Sequence, residues 1–212
     1  MDIIWHGNSC FTLRNKTKTI VIDPHKGVKE LQGDIILTSL GKNTEKIADV
    51  ERIFDCPGEY EVKGVPIIGM HAKTKVQPKK EKKEDDEDDS EEKIVEEVGE
   101  NTIIFHLQFD KIKICHLAEL GQSLTSEMVN QIGDVDILMI DASEEGNLDN
   151  KRAMEIVEAI DPRIVIPMGE GSFDSFVKEL GVSEVNGEKK FVVKSSSQLP
   201  DENRETVILE KV

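Results

Sequence analysis

The sequence predicts an α/β fold in which β-sheets are covered by helices. Three observations lead there. Short apolar strands sit at hairpin spacing in the first half, and strands alternate with helices in the second. The chain of 212 residues is also long enough, and rich enough in Val, Ile and Leu, to bury one sizeable core. A single domain over residues 1–212 is therefore expected.

The elements follow in order. "DIIWH", "CFTLR" and "TIVIDP" read as strands, with a hairpin turn from Asn15 to Lys18. "GDIILTS" is a strand apolar enough to be buried on both faces, and a helix-like segment follows its polar loop. "RIFD" leads through Pro57-Gly58 to a hairpin whose turn is Lys63-Gly64. Strands resume with "NTIIFHLQF" and "KIKICHL". Then come a helix "SEMVNQI", a strand "VDILMIDA", a helix "DNKRAMEIVEAI", a strand "RIVIPM" and a helix "DSFVKEL". Asp149 suits the cap of the middle helix and Asp161-Pro162 its stop. "KFVVKS" and "ETVILEKV" close the chain as strands.

One segment breaks this pattern. Residues 76–99 hold a short basic run and then a dense acidic one, with hardly any apolar residues before Ile94. Such a stretch cannot bury enough surface to offset its ordering entropy, so a disordered acidic loop inserted within the domain is expected.

Composition excludes several functions. A net charge of -16 argues against nucleic acid or an anionic membrane as the main partner. No run approaches the roughly 20 apolar residues of a membrane span, and the start lacks the pattern of a signal peptide, so a cytoplasmic location is expected. Cys10, Cys56 and Cys115 are odd in number and widely spaced. Neither a disulfide framework nor a zinc ribbon follows, and each is expected to act as a small core residue.

The motifs "IIWHGNSCF", "TIVIDP", "GDIILTS", "PGEYEVKGVPIIG", "ICHLAELG", "IGDVDILMI" and "DPRIVIPM" occur in an order that resembles the metallo-β-lactamase superfamily, in particular its small UlaG-like metal-dependent hydrolases. The resemblance spans nearly the whole chain outside the acidic segment. It implies a four-layer αββα sandwich with a metal site in loops along one edge. In that family, bound zinc, manganese or iron acidifies a water whose hydroxide attacks an ester, amide, lactone or phosphodiester. Catalytic zinc takes about three protein ligands, and its water reaches a pKa near 7.

Carried over residue by residue, the family's His-x-His-x-Asp-His positions fall on Ser39, Gly41, Asn43 and Thr44, so all four are replaced. Neutral oxygens bind zinc poorly, and glycine offers no donor. The next ligand survives as His71, and the bridging Asp matches Glu119, with Ala118 in place of the small Gly before it. The last histidine is Gly169, and the usual Pro-x-Gly-Gly is "DASEEG". Asp23 and His116 match residues that organise the site rather than bind metal, and the histidine of "GHS" is Asn8.

The resemblance thus implies a catalytically degenerate hydrolase, a pseudoenzyme acting as a binding or interaction protein with no cofactor and an unidentified protein or small-molecule partner. The alternative is a hydrolase with a remodelled Zn²⁺ or Mn²⁺ site that includes His71 and Glu119. For His71 the preferred reading is a relic or a hydrogen-bonded loop histidine, and for Glu119 a side chain that fills vacated space. A minority reading assembles a relocated, oxygen-rich site from His6, His25 and Asp141 with Glu144, Glu145 or Glu170. A Ser39–His71 nucleophilic pair is a further reading.

Overall fold

The computed structural model describes residues 1–25, 27–28, 31–40, 52–74, 77–78, 97–182 and 186–212. In chain order the strands are β1 (Asp2–Trp5), β2 (Phe11–Arg14), β3 (Thr19–Ile22), β4 (Ile35–Leu37), β5 (Arg52–Phe54), β6 (Gly58–Val62), β7 (Val65–Lys73), β8 (Gln77–Pro78), β9 (Glu97–Val98), β10 (Asn101–Phe109) and β11 (Ile112–His116). Helix α1 (Ser126–Ile132), β12 (Ile137–Asp141), α2 (Asn150–Ile160), β13 (Ile164–Met168), α3 (Asp174–Glu179), β14 (Phe191–Val192) and β15 (Glu205–Thr206) complete them.

Two mixed sheets face each other. The first has six strands ordered β14-β1-β2-β3-β4-β5, and the second has seven ordered β15-β13-β12-β11-β10-β7-β6. Alternation along each strand decides what lies between them. Ile3, Trp5, Phe11, Leu13, Ile20, Ile22, Ile35 and Leu37 project from the first sheet into one apolar cluster. Ile103, Phe105, Leu107, Ile137, Met139, Ile164 and Ile166 meet them from the second. The intervening residues of the second sheet, among them Ile104, Leu138, Ile140 and Val165, face outward and pack with Ala153, Ile156, Val157 and Phe176 of the helices. Hence the central parallel strands read as unbroken apolar runs, being buried on both faces. On the first sheet Val21 and Ile36 are also fully buried. These layers are those of the metallo-β-lactamase sandwich.

Local signals act as the sequence predicts. Asn15 Oδ1 accepts from the amides of Thr17 (2.9 Å) and Lys18 (2.8 Å), closing the first hairpin. Lys63 and Gly64 both have positive φ, 52° and 71°, as a type I′ turn requires. Asp149 caps α2 by accepting from Arg152 N at 2.8 Å, and Asp161 ends it in a left-handed conformation.

Three readings need adjustment. The closing strands are shorter than predicted, since only Phe191–Val192 and Glu205–Thr206 form ladders. Their neighbours Val193 and Ile208 are buried without extending a ladder, and the buried Leu209 forms an isolated parallel bridge with Glu188. Cys56 is exposed beside Asp55 rather than in the core, whereas Cys10 and Cys115 are buried. The ends of the predicted acidic insertion pair antiparallel as β8 and β9, and residues 79–96 lie outside the described residues. No described helix is long and apolar enough to cross a membrane.

Candidate functional site

Parallel strands release their side chains at their C-terminal ends, and here β11, β12 and β13 end side by side. The loops that leave them meet the turn between β1 and β2. Asn8, in a left-handed conformation, forms an isolated antiparallel bridge with Gly169 and so ties the two sheets together at this edge. Trp5 Nε1 donates to Asn8 O at 2.8 Å, and the Trp5 ring meets Phe173 edge-on. Next to this tie lies a cavity of about 260 Å³ lined by Ser9, Glu119, Asp141, Ser143, Glu145 and Glu170, among others.

Burial is the main force on two of its carboxylates, Glu119 and Asp141. It raises the pKa of Glu119, with Asp23, Asp141, Glu100 and Glu170 adding like charge. Burial likewise raises Asp141, opposed by hydrogen bonds from Ser143 and reinforced by Glu170. Ser143 donates to Asp141 Oδ1 through its hydroxyl (2.8 Å) and its amide (3.2 Å). Asn147 Nδ2 donates to the Glu119 carbonyl at 3.0 Å, fixing that loop. Such a cavity attracts cations and repels anions.

Beneath the cavity, His116 is fully buried. Its Nε2 lies 2.8 Å from Ser9 O, and Ala118 N donates to its Nδ1 at 3.2 Å. Those partners assign the neutral ring with the proton on Nε2, and burial lowers its pKa accordingly. Ala118 has φ 53°, a conformation in which the family's glycine would be unstrained. Asp23 is held by Ser39, whose amide donates to Oδ1 at 2.6 Å and whose hydroxyl donates to Oδ2 at 2.7 Å.

The candidate residues therefore separate. Glu119, Asp141, Glu145 and Glu170 come together at the cavity, which Gly169 also lines. His71 does not line it and is exposed on β7, where its backbone pairs with Ile103. The proposed Ser39–His71 pair is not formed, because the buried Ser39 hydroxyl is committed to Asp23. His6 bonds Thr12 Oγ1 at 2.8 Å, and His25 Nδ1 accepts from Gly27 N at 3.2 Å, so neither joins the carboxylates. Glu144 is exposed. Gly41, Asn43 and Thr44 lie outside the described residues. Cys10, buried and near Asp23, has its thiol pushed up to about 12, and burial also raises Cys115, so neither is an activated nucleophile. Ser9, Ser143 and Asn147 were not singled out in the sequence, since polar residues in loops carry no signal of convergence.

Among the described residues, these donors do not make up the ligand set of a family-type metal ion. Among the described residues, no three or more His, Cys, Asp or Glu side chains converge as a metal site requires. A side chain at Gly169 would collide with Asp141 Oδ1.

Comparison with known proteins agrees with the geometry of the fold. Residues 2–169 match the model of the beta-lactamase superfamily domain. A UPF0173 protein of Pyrococcus abyssi is 28% identical over 197 residues, covering 85% of this chain and 90% of the relative. A UPF0173 metal-dependent hydrolase of Thermoplasma acidophilum is 26% identical over 194 residues, covering 82% and 85%. Among solved structures, a candidate Zn-dependent hydrolase of the metallo-β-lactamase superfamily from Thermotoga maritima superposes with a TM-score of 0.75 at 24% identity, covering 98% of each chain.

Proposed function

The chain belongs to the beta-lactamase superfamily, and from that premise we propose that it is a catalytically degenerate member: a pseudoenzyme that keeps the scaffold, holds no cofactor, and acts as a binding or interaction protein. The observation that carries this reading is the closure of Ser39 on Asp23. At a position where the family places a metal ligand stands a hydroxyl that donates to the neighbouring carboxylate at 2.7 Å. The acidic cavity adds direction, because Glu119, Asp141, Glu145 and Glu170 favour a cationic group over an anionic phosphodiester.

A second reading is a metal-dependent hydrolase with a remodelled ligand set. It is favoured by the Thermoplasma acidophilum relative, which is named a metal-dependent hydrolase. Its ligands would include Glu119 and His71, with Zn²⁺ or Mn²⁺ as the ion.

Elemental analysis of purified protein, before and after equilibration with Zn²⁺ and Mn²⁺, separates the two. The pseudoenzyme reading expects metal well below one ion per chain under both conditions, and no turnover of ester, lactone or phosphodiester substrates. Near one ion per chain, lost in His71→Ala or Glu119→Ala, would establish the hydrolase reading instead.

A further inference from the structure

Two glycines, distant in sequence, make room for one carboxylate. A Cβ built on Gly169 would collide with Asp141 Oδ1 and lie 2.8 Å from its Cγ and 2.5 Å from Ser143 Oγ. A Cβ on Gly146 would lie 2.7 Å from the same Oδ1, 3.1 Å from the same Cγ and 3.0 Å from the Ser143 carbonyl. Contacts of Cβ under 3.0 Å essentially do not occur, so both positions must stay bare while the carboxylate remains where it is. Ser143 holds it there with its amide and hydroxyl.

Gly169 is also where the family resemblance expects the last metal-binding histidine. We infer that Asp141 has taken over that place: its carboxylate, cradled by Gly146 and Gly169 and held by Ser143, excludes any side chain at residue 169, so that a histidine restored there alone cannot rebuild a metal position. The loss of the histidine and the seating of Asp141 are then one coupled change. This deepens the pseudoenzyme reading, but it depends only on packing and stands or falls separately from whether the chain binds metal.

The two glycines differ in a way that supplies an internal control. Gly169 has φ +117°, so any side chain there is strained by its backbone as well. Gly146 carries no such restriction, and the cost of a methyl group there comes from contact alone.

The test is a set of thermal melts on the full chain: Gly146→Ala, Gly169→Ala and Gly169→His, each alone and each combined with Asp141→Ala, with and without chelator. Gly146→Ala is expected to lower Tm by about 5 °C, in keeping with the cost of overpacking in a chain of this size. Measured against Asp141→Ala, it should lose most of that effect, because two of its three close contacts have gone. Gly169→Ala and Gly169→His should recover only in part, the remainder being backbone strain. Equal losses with and without the Asp141 carboxylate, or no loss from Gly146→Ala at all, would overturn the inference. Should either Gly169 variant fail to fold, the Gly146 pair decides alone. A chelator-sensitive wild-type Tm would count against the pseudoenzyme reading without touching the coupling.

Discussion

Glu119 and Asp141 are carboxylates held where burial opposes their charge, and their acidity is displaced upward for that reason first. An acid whose folded pKa lies above its unfolded value, 4.5 for Glu119 and 3.8 for Asp141, binds its proton more tightly in the folded state. Below the unfolded value there is no effect. Stability then falls as pH rises towards the folded value and stays at the lower level beyond it. Glu119→Gln and Asp141→Asn remove the charge while keeping an acceptor for Ser143 at residue 141. Both are expected to raise Tm at pH 7, with the gain shrinking at about pH 3, below both unfolded values, where both states of the wild type are protonated. Melts at the two pH values check this; an equal gain at both would assign it to something other than the charge. His6 and His116 act with the opposite sign, since burial lowers both, so stability drops as pH falls below the ordinary histidine value of 6.5. The acidic residues themselves were legible in the sequence, but their convergence was not. It depends on strands β11, β12 and β13 ending together, and nothing in "DASEEG" says that two glycines will leave room for an aspartate.

At the scale of the element, the clearest anchor is Arg163, immediately before β13. Its Nε donates to Pro200 O (2.7 Å), its Nη1 to Ser196 O (3.1 Å) and its Nη2 to Leu199 O (2.7 Å). The same guanidinium also reaches Asp136 (3.2 Å) and Asp201 (2.6 Å). This fork pins the turn that precedes β15 against the sheet. Lysine keeps the charge but not the planar geometry. Arg163→Lys is therefore expected to cost about 2 kcal/mol, the scale of lost hydrogen bonds to a charged group. In a chain of this size that corresponds to a fall in Tm of roughly 4–8 °C. A change below about 1 °C would show the turn to be held by its apolar contacts instead. Sequence reading succeeded for elements whose signal is local. Helix α2 announces itself by Ala153, Ile156, Val157 and Ile160 on one face and by its Asp149 cap. It overran at β14 and β15, where an apolar run signals burial as readily as pairing. Val193 and Leu209 are buried in the core between the sheets without extending either short strand.

At the scale of the molecule, the decisive quantity is charge. The net value is -16, and residues 75–100 hold twelve acidic side chains against six lysines, so six of the sixteen belong to that segment and ten to the rest. The excess is thus not confined to the inserted stretch, and the carboxylates around the cavity are part of it. Many of the described ion pairs reach exposed side chains, among them Lys113–Asp134, Lys151–Glu155 and Arg152–Asp149, and such pairs stabilise weakly. Repulsion across the whole surface should therefore outweigh them. Salt shortens the reach of that repulsion, from a screening length of about 10 Å at 0.1 M to about 3 Å at 1 M. Raising NaCl at pH 7 is expected to raise Tm, and the rise should persist, reduced, in a chain from which residues 79–96 are deleted. Near the isoelectric point of about 4.8 the net charge vanishes and the dependence should flatten or reverse. Melts over a salt series at the two pH values, on both chains, measure this directly. A Tm that falls with salt at pH 7 would mean that specific pairs, such as Lys63–Asp34 at 2.9 Å, govern the surface instead.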